Sequence, residues 1–355
     1  MYDIVIIGAG PAGATLAGLL DEKYRVLLVD KRNFKNKYEK CCGGLLAPDA
    51  QKMLAKLELG LPKDVLTGPQ MFSVKTLDFD NDIERHYQRH YINVDREKFD
   101  SYLASQNHHA EFMLDTIYKG HKKNGDKIQV FLNKNGENII VDTNILVGAD
   151  GALSLVRKNQ FKYKPYPEKY VSIQQWYKTE GSSPFYTSIF DKEITDYYSW
   201  IIQKDGFLLI GTAVPINEDA NLKFNLLIDK LKKKGFDIGG FYKRTGTLIM
   251  RTRKLKEISL ADENIALIGE AAGLISPSSA EGISYALKSA VFLAESINRN
   301  YKEFKSDYVK AARKIKINIF IKNLKIPFMY NSLLRKLVMK SKIFSMDIKK
   351  SKNDY

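Results

Sequence analysis

The start of the chain constrains the fold more than any other feature. Its sequence predicts a strand, a glycine-rich turn, a helix and a second strand, in that order. Residues 2–7, YDIVII, are apolar and rich in β-branched residues, which is typical of a buried parallel strand. The sequence GAGPAG follows at once, residues 14–20 are predicted to form a helix, and residues 25–30, RVLLVD, form a second apolar run that ends in an acid. Elements in this order predict a dinucleotide-binding βαβ unit.

The predicted dinucleotide site begins in the glycine-rich turn. Gly8 would make the tight turn, Gly10 would let a pyrophosphate approach the backbone, and Gly13 would let the helix pack closely on the strand. Pro11 and Ala12, which lie between these glycines, are included among the predicted cofactor-binding residues, and the N-terminus of the following helix would face the phosphates.

The second predicted strand ends at Asp30, where a carboxylate accepts hydrogen bonds from a ribose diol. The adjacent Lys31 is included among the predicted cofactor-binding residues. The motif by itself does not distinguish NAD from FAD.

Length and charge bound the remaining possibilities. The chain has 355 residues, which suits two domains or one domain with a large insertion. Its net charge of +15 is concentrated at the end, because residues 301–355 contain fifteen Lys or Arg and four Asp or Glu. No nucleic-acid-binding motif accompanies this charge, so no nucleic-acid partner is expected. The apolar run at residues 4–20 lacks a basic flank, and no targeting or membrane-spanning segment is predicted.

The two cysteines of the chain, Cys41 and Cys42, are adjacent and are followed by Gly43 and Gly44. They cannot link distant parts of the fold, because a vicinal disulfide closes only a small strained ring. A reducing cytoplasm is therefore the expected compartment. No histidine or cysteine spacing typical of zinc is present, so no metal site is predicted.

Three further segments follow in a defined order. Residues 94–103, VDREKFDSYL, are predicted to open a helix with its N-cap at Asp95. Residues 145–157, ILVGADGALSLVR, and residues 265–283, IALIGEAAGLISPSSAEGI, each join an apolar strand to a glycine turn. The order GxGxxG, xDRxxFDxxL, GADGxxSxxR and G(D/E)AAGxxxPxxxEGI resembles the flavoprotein hydroxylase and reductase superfamily of the para-hydroxybenzoate hydroxylase type. The resemblance covers residues 1–300.

This resemblance implies one bound FAD. It places Arg96 beside the ribityl chain and pyrophosphate, and Asp150 would brace the same region. Glu270, where the family usually has Asp, would bond the ribityl or pyrophosphate end. Gly282 and Ile283 would present N–H groups to the flavin N1 and C2 carbonyl. The cofactor-binding residues implied in these segments are Arg96, Asp150, Gly269, Glu270, Gly282 and Ile283.

The cysteine segment supports a narrower resemblance. Residues 40–46, KCCGGLL, look like the KxCGGxL signature of the geranylgeranyl reductase family, with Cys42 as the matching cysteine. The family's YxWxFP feature is similar to residues 198–203, YSWIIQ, which keep Tyr198 and Trp200 but have Ile and Gln for Phe and Pro. The resemblance implies that Cys42, Tyr198 and Trp200 are the catalytic residues, with Cys42 beside the flavin and the two aromatic residues in the wall of the substrate pocket. The loop residues assigned to the cofactor are Cys41, Cys42, Gly43 and Gly44.

Three interpretations of the cysteines stay open. A thiol over the flavin could donate the proton that is needed when a hydride adds to a double bond. The pair could instead pack as inert thiols, or could form a strained redox disulfide.

The predicted fold class is α/β. An FAD-binding, doubly wound, Rossmann-like domain is expected over residues 1–70, 95–160 and 258–300. An inserted antiparallel β-sheet substrate domain is expected over residues 71–94 and 161–257, because these runs are aromatic and β-rich. Residues 301–355 are expected to form a basic helical C-terminal region.

The C-terminal region shows an amphipathic pattern. Ile317, Phe320, Ile321 and Leu324 follow helical spacing among lysines, and Pro327 interrupts the run. These helices could lie on an anionic membrane surface, which would place the protein at the inner face of the membrane. They could equally form a cap packed on the sheet.

The expected function is that of an FAD-dependent oxidoreductase, as a reductase that saturates C=C bonds of a hydrophobic isoprenoid or lipid. Because no second GxGxxG is visible, electrons would come from NAD(P)H, ferredoxin or a quinol without a second nucleotide domain. Two other functions stay open: a flavin monooxygenase or halogenase acting on a hydrophobic or aromatic substrate, and a non-catalytic, flavin-bearing, membrane-associated lipid-binding protein.

Overall fold

A computed structural model describes residues 1–35, 40–181 and 183–348; the last seven residues of the predicted region 301–355 lie outside these ranges. In chain order the strands are β1 (Tyr2–Ile7), β2 (Val26–Val29), β3 (Leu45–Leu46), β4 (Met71–Asp78), β5 (Ile83–Asn93), β6 (Glu111–Met113), β7 (Thr116–Asn124), β8 (Lys127–Lys134), β9 (Glu137–Gly148), β10 (Glu168–Lys178), β11 (Phe185–Phe190), β12 (Ser199–Lys204), β13 (Phe207–Pro215), β14 (Gly240–Arg251), β15 (Ala261–Asp262), β16 (Ile265–Leu267) and β17 (Ser345–Met346). The α-helices are α1 (Pro11–Leu19), α2 (Pro48–Lys56), α3 (Arg96–Ser105), α4 (Leu155–Gln160), α5 (Ala220–Lys233), α6 (Ile283–Arg299), α7 (Phe304–Ala311), α8 (Arg313–Leu324), α9 (Ile326–Tyr330) and α10 (Ser332–Lys340).

The first sheet has the order β15–β16–β9–β1–β2–β6. The pairs β1–β2, β1–β9, β2–β6 and β9–β16 are parallel. All four residues of β2 are buried, which explains why its sequence is continuously apolar. The N-terminal half of β9 pairs antiparallel with β8, which pairs with β7, so these two strands extend the same sheet.

Helices cover the first sheet. α1 follows β1 directly, with Gly10 as its N-cap and Pro11 in its first turn, where a missing backbone N–H costs nothing. α1 packs against α3 and α6. The predicted cap of α3 is confirmed, because the Asp95 side chain accepts hydrogen bonds from the N–H groups of Glu97 and Lys98.

The second sheet has the order β14–β10–β13–β12–β11–β4–β5–β17, and β3 pairs with β5. It joins two separate parts of the chain, because β4 and β5 come before α3 while β10 to β14 come after α4. Neighbouring strands are antiparallel except β4 and β11, which are parallel. The structure confirms the predicted α/β class with a Rossmann-like parallel sheet and a helical C-terminal stretch.

The two faces of the second sheet have different neighbours. Ile201 and Ile210 lie on the face that α5 covers with Phe224, Leu227 and Leu231. The opposite face forms a separate aromatic cluster that includes Tyr170, Tyr197, Tyr198 and Trp200.

The tail helices pack on the fold through one side. Tyr308 of α7 and Ile315 and Ile319 of α8 are buried in the core of the first sheet. Arg335 of α10 forms ion pairs with Asp78 at 2.8 Å and Asp80 at 2.6 Å, and β17 extends the second sheet. The opposite side of these helices exposes apolar side chains. No helix within the described ranges is long and apolar enough to cross a membrane.

Candidate active site

Four of the predicted cofactor-binding segments follow parallel strands of the first sheet. Gly8 follows β1, Asp30 follows β2, and Asp150 and Gly269 come two residues after β9 and β16. Because the carboxyl ends of parallel strands meet at one edge of a sheet, the fold brings these segments together.

The glycine-rich turn is tight on one side and open on the other. Gly8 has φ +105°, and a Cβ there would lie 2.5 Å from the carbonyl oxygen of Ala149. A Cβ on Gly13 would overlap the carbonyl oxygen of Gly8. Among the described residues, a Cβ on Gly10 would meet only Nη2 of Arg32, at 4.0 Å. Gly8 and Gly13 therefore allow close packing, and Gly10 leaves the turn open to an approaching group.

Two helices begin beside this edge without side-chain caps. Gly10 is the N-cap of α1, which opens with Pro11 and Ala12, and Gly282 is the N-cap of α6, which opens with Ile283. Neither N-cap residue supplies a side-chain acceptor, so N–H groups of both first turns are left for a ligand.

Asp30 is held against the glycine-rich turn. Its Oδ2 accepts a hydrogen bond from the N–H of Ala9 at 2.7 Å, and Arg32 donates to both of its oxygens at 2.9 and 3.0 Å. Lys31, between them, is exposed. A ribose bound to Asp30 would therefore share this carboxylate with Arg32.

The other two predicted acids contact backbone N–H groups. Oδ2 of Asp150 accepts from the N–H of Leu155 at 2.8 Å, and its buried Oδ1 has no partner among the described residues. Oε1 of Glu270 accepts from the N–H of Met250 at 2.9 Å, which ties the first sheet to β14. Burial raises the pKa of both carboxyl groups.

Cys42 lies at the end of a buried chain of charges. Nη1 of Arg96 donates to Sγ of Cys42 at 3.1 Å, and Nη2 of Arg96 donates to Asp100 at 2.6 Å. Asp100 also accepts from Arg32 at 3.0 Å. The N–H of Gly44 lies 3.5 Å from Sγ. Burial opposes ionisation of Cys42, but the charge of Arg96 and the Gly44 N–H outweigh it and lower the pKa of the thiol.

Cys41 has a different environment. Its Sγ donates to the carbonyl oxygen of Ser172, on β10, at 3.8 Å. Burial raises the pKa of this thiol to about 11. Both cysteines are free thiols, so the disulfide interpretation does not describe this structure.

Gly43 and Gly44 let the cysteine loop close on the second sheet. A Cβ on Gly43 would lie 2.7 Å from Cδ1 of Ile202. Gly44 has φ +65°, and a Cβ there would overlap the carbonyl oxygen of Val94 and lie 2.6 Å from Nζ of Lys204. These glycines therefore have a packing reason that is independent of a cofactor.

One face of β12 lies along this loop. Trp200, Ile202 and Lys204 alternate along the strand and so share a face, and Tyr198 lies one step before it in the same phase. The rings of Tyr198 and Trp200 are 5.6 Å apart, and Nε1 of Trp200 is buried without a partner among the described residues. The structure thus brings Cys42 and the two predicted aromatic residues to one region.

Lys204 is a buried cation on this face. Its side chain is 4% exposed, and Nζ donates to Oδ1 of Asn93 at 2.6 Å and to the carbonyl oxygen of Val94 at 2.7 Å. No carboxylate within the described ranges forms an ion pair with it. Burial lowers the pKa of Lys204 to about 8.

Tyrosine hydroxyls hold the segment that precedes α6. Tyr198 donates to the carbonyl oxygen of Ser279 at 2.7 Å, and Tyr330 of α9 donates to that of Ser278 at 2.8 Å. The segment runs directly into Gly282 at the open start of α6. The tail therefore contributes a side chain to the surroundings of the candidate site.

The residues of this edge fit FAD. The glycine-rich turn is open at Gly10, and the N–H groups of two uncapped helix N-termini could bind its pyrophosphate and its flavin ring. Buried polar atoms in the same elements lack partners within the described part of the chain, including Nε of Arg96, Oδ1 of Asp150 and Oγ of Ser284. When bound, FAD supplies hydride-transfer chemistry.

The fold and this edge are those of an FAD-binding flavoprotein. The chain belongs to the FAD binding domain family, whose model matches residues 1–229. It is 39% identical over 347 residues to Protein CbrA of Escherichia coli O9:H4 (strain HS), covering 96% of this chain and 93% of that protein.

Solved structures share the fold at low sequence identity. A geranylgeranyl bacteriochlorophyll reductase-like protein from Thermoplasma acidophilum superposes with a TM-score of 0.81 at 17% identity, covering 98% of this chain and 92% of that one. PqsL of P. aeruginosa, solved with 2-aminobenzoylacetate, gives a TM-score of 0.71 at 17% identity, covering 96% and 99%. A triple mutant of the flavin-dependent brominase Bmp2 gives 0.74 at 19% identity, covering 97% and 95%. The shared fold therefore includes reductase-like, monooxygenase and halogenase proteins.

Sequence reasoning missed Lys204, Arg32 and Tyr330. Lys204 could have been found, because it is a lysine in phase with Trp200 and Ile202 on an otherwise apolar strand. Arg32 lies two residues after Asp30 and pairs with it, but its second partner, Asp100, is distant in sequence. Tyr330 left no comparable signal, because its partner is a backbone carbonyl of a distant segment.

Proposed function

We propose that this protein is a reductase that uses FAD to saturate C=C bonds of a prenyl or isoprenoid lipid. The observation that supports it is the position of Cys42: its loop closes on the same face of β12 that presents Tyr198 and Trp200. A hydride acceptor needs a proton source, and an apolar chain needs an apolar wall. Residues 71–94 and 161–257 would form the substrate domain, and residues 1–70, 95–160 and 258–300 the FAD-binding domain.

Cys42 would donate the proton. Reduction of a double bond adds a hydride to one carbon and a proton to the other, and the Cys42 S–H bond would break to supply the proton. The thiolate left behind would be stabilised by Arg96 at 3.1 Å and by the N–H of Gly44. Lys204, whose ammonium lies against Gly44, would return a proton to Sγ.

Arg96, Asp150 and Glu270 would hold the ribityl and pyrophosphate part of the cofactor, and Gly282 and Ile283 would bind its ring through N–H groups. Asp30 and Lys31 would contact the ribose side. NAD(P)H or ferredoxin would supply the electrons. Reduction of the bound flavin by each donor, followed by its absorbance, identifies which one serves.

The test of the proposed reaction is a single turnover without oxygen. The protein is reduced anaerobically, polyprenyl lipids are added, and flavin absorbance and product mass are recorded. We expect reoxidation of the flavin and a product heavier by two hydrogens. Cys42→Ser should slow this step by about 100-fold, because general acid catalysis by a positioned group contributes that much. Cys41→Ser gives the comparison within the same loop and should slow the step less, because Cys41 contacts Ser172 rather than Arg96.

A second candidate function is oxygen-dependent hydroxylation or halogenation, which the shared fold with PqsL and Bmp2 favours. Substrate-dependent oxygen consumption, with no reoxidation by polyprenyl lipid under nitrogen, would support this candidate over the reductase. A lipid substrate would also require contact with a membrane. We propose that the C-terminal helices make this contact, at the cytoplasmic face of the membrane.

A further inference from the structure

The tail helices expose an unusual amount of apolar surface. Along α8 and α9, the side chains of Ile317, Phe320, Ile321, Leu324 and Phe328 are 48–59% exposed. They recur at helical spacing and so form one stripe. Further large apolar side chains are exposed beyond this stripe: Leu333, Leu337, Val338, Ile343 and Phe344. We call the stripe and these five residues together the apolar tail surface.

This exposure is not the result of a detached tail. The opposite side of α8 is buried through Ile315 and Ile319, and α10 is anchored by the buried Arg335. Tyr330 of α9 is hydrogen-bonded to the segment before α6. The helices are therefore held by one side while the other side presents apolar groups to solvent. A contiguous apolar surface of this kind marks an interaction site.

The charge around the apolar tail surface is of one sign. Residues 308–348 contain ten Lys or Arg and a single acid, Asp347. Arg313 and Lys314 are exposed at the start of α8, and Lys325 is exposed at its end. Apolar side chains bordered by basic ones are typical of helices that lie in the interface of an anionic bilayer.

We propose that the apolar tail surface docks on an anionic lipid bilayer. The apolar side chains would enter the boundary between headgroups and acyl chains, and the surrounding lysines would contact lipid phosphates. The short helices suit a position in the plane of the surface.

A second copy of this chain is a poorer occupant. A twofold contact would place the same surface on both sides and would bring the basic residues of the two copies together. Like charges across an interface oppose association, whereas an anionic bilayer is complementary to them.

Docking would bring the candidate active site to its substrate. Tyr330 belongs to the docking helices and also contacts the segment that leads into α6. This part of the inference rests on the proposed function, because only a lipid substrate gives the docking its purpose. The docking itself depends on the surface alone.

The test uses the full chain with bound FAD and measures co-sedimentation with vesicles, without turnover. Vesicles of phosphatidylcholine with phosphatidylglycerol should bind the protein, and vesicles of phosphatidylcholine alone should bind it more weakly. The double change Phe320→Ser and Ile321→Ser should lower binding by about tenfold or more. Leu222→Ser on α5, a residue that is 65% exposed outside the tail, is the matched control and should not change binding.

The charges are tested in the same assay. Lys314→Gln with Lys325→Gln should lower binding to anionic vesicles by about 30-fold, because each basic residue near the surface contributes about fivefold. Lys232→Gln with Lys233→Gln, exposed on α5, is the control. Retained FAD absorbance checks that each variant is folded.

The outcomes separate docking from catalysis. Vesicle binding that is lost in the tail variants supports the proposal even if no lipid is reduced, in which case the proposed function fails alone. Equal binding to both vesicle types, or unchanged binding in the tail variants, overturns it. A third result would also overturn it: the protein does not bind vesicles, and analytical ultracentrifugation shows a dimer that Phe320→Ser dissociates. The apolar tail surface would then be an interface between copies of the chain.

Discussion

Cys41 and Cys42 are neighbours in the chain, yet they face two different parts of the molecule. Cys41 points to β10 in the second sheet, where it meets the carbonyl oxygen of Ser172. Cys42 points to α3 beside the first sheet, where it meets the guanidinium of Arg96. One thiol has its pKa raised to about 11 by burial, and the other has its pKa lowered by charge and a backbone N–H. The environment, rather than the residue type, decides which of two equal thiols is reactive.

The largest expected effect is selective alkylation. At pH 7 iodoacetamide should modify Cys42 more than about 100-fold faster than Cys41, because a thiol with a pKa near 11 has a thiolate fraction of only about 0.0001 and the pKa of Cys42 is lowered from its ordinary value. Peptide mass spectrometry after short pulses measures both rates in one sample. Equal rates would remove the difference on which the comparison rests.

Lys204 is a buried cation beside the cysteine loop, and its ionisation should also affect the stability of the protein. Its pKa is about 8 in the folded protein and would be near 10.4 unfolded, so the unfolded state binds the extra proton between these values. Stability should therefore rise with pH across this window, by about 3 kcal/mol at most. Lys204→Met should remove this rise.

The measurement for Lys204 is the free energy of unfolding by urea at several pH values from 7 to 11. The change to Met also leaves Asn93 Oδ1 and Val94 O without a donor, which lowers the free energy of unfolding at every pH. The two proteins are therefore compared by how their free energy of unfolding changes with pH, and not by its absolute value. Lys232→Met on the exposed part of α5 is the control. A wild-type slope equal to that of Lys204→Met would show that the buried ammonium keeps an ordinary pKa.

Cys41 should affect stability with the opposite sign. Its thiol ionises at an ordinary value when unfolded but near pH 11 when folded, so the free energy of unfolding should fall between these values, by about 2.7 kcal/mol. Cys41→Ser should lack this loss. Melting temperatures of the two proteins between pH 8 and 11 test the difference, and parallel curves would argue against a protected Cys41.

The smallest expected effect concerns Arg96. Arg96→Gln should raise the pKa of Cys42 and slow its alkylation by about tenfold at pH 7, because a charge-assisted hydrogen bond to the thiolate is lost. The rate for Cys41 in the same protein is the internal standard. Arg89→Gln, exposed on β5, should change neither rate. An unchanged Cys42 rate in Arg96→Gln would assign the lowered pKa to the Gly44 N–H and the charge of Lys40 instead.

Much of the nucleotide-binding edge could be predicted from sequence because its signals are local. Gly8, Gly10 and Gly13 form one motif within a βαβ unit, and Asp95 caps its own helix. The β-rich composition of residues 71–94 and 161–257 predicted that the second sheet exists and that it is antiparallel. Its parallel pair, β4 with β11, was not predicted, because this pair joins segments that are more than ninety residues apart.

The amino-acid sequence by itself determined the FAD-binding class, since periodicity, glycine spacing and capping act over a few residues. Tertiary structure decided what surrounds the thiols. Arg96, Ser172 and Lys204 reach the cysteine loop from three distant elements, and a pKa depends on charges and burial in space. It also decided which side of the tail is buried, because both sides of α8 carry apolar residues and only packing selects between them.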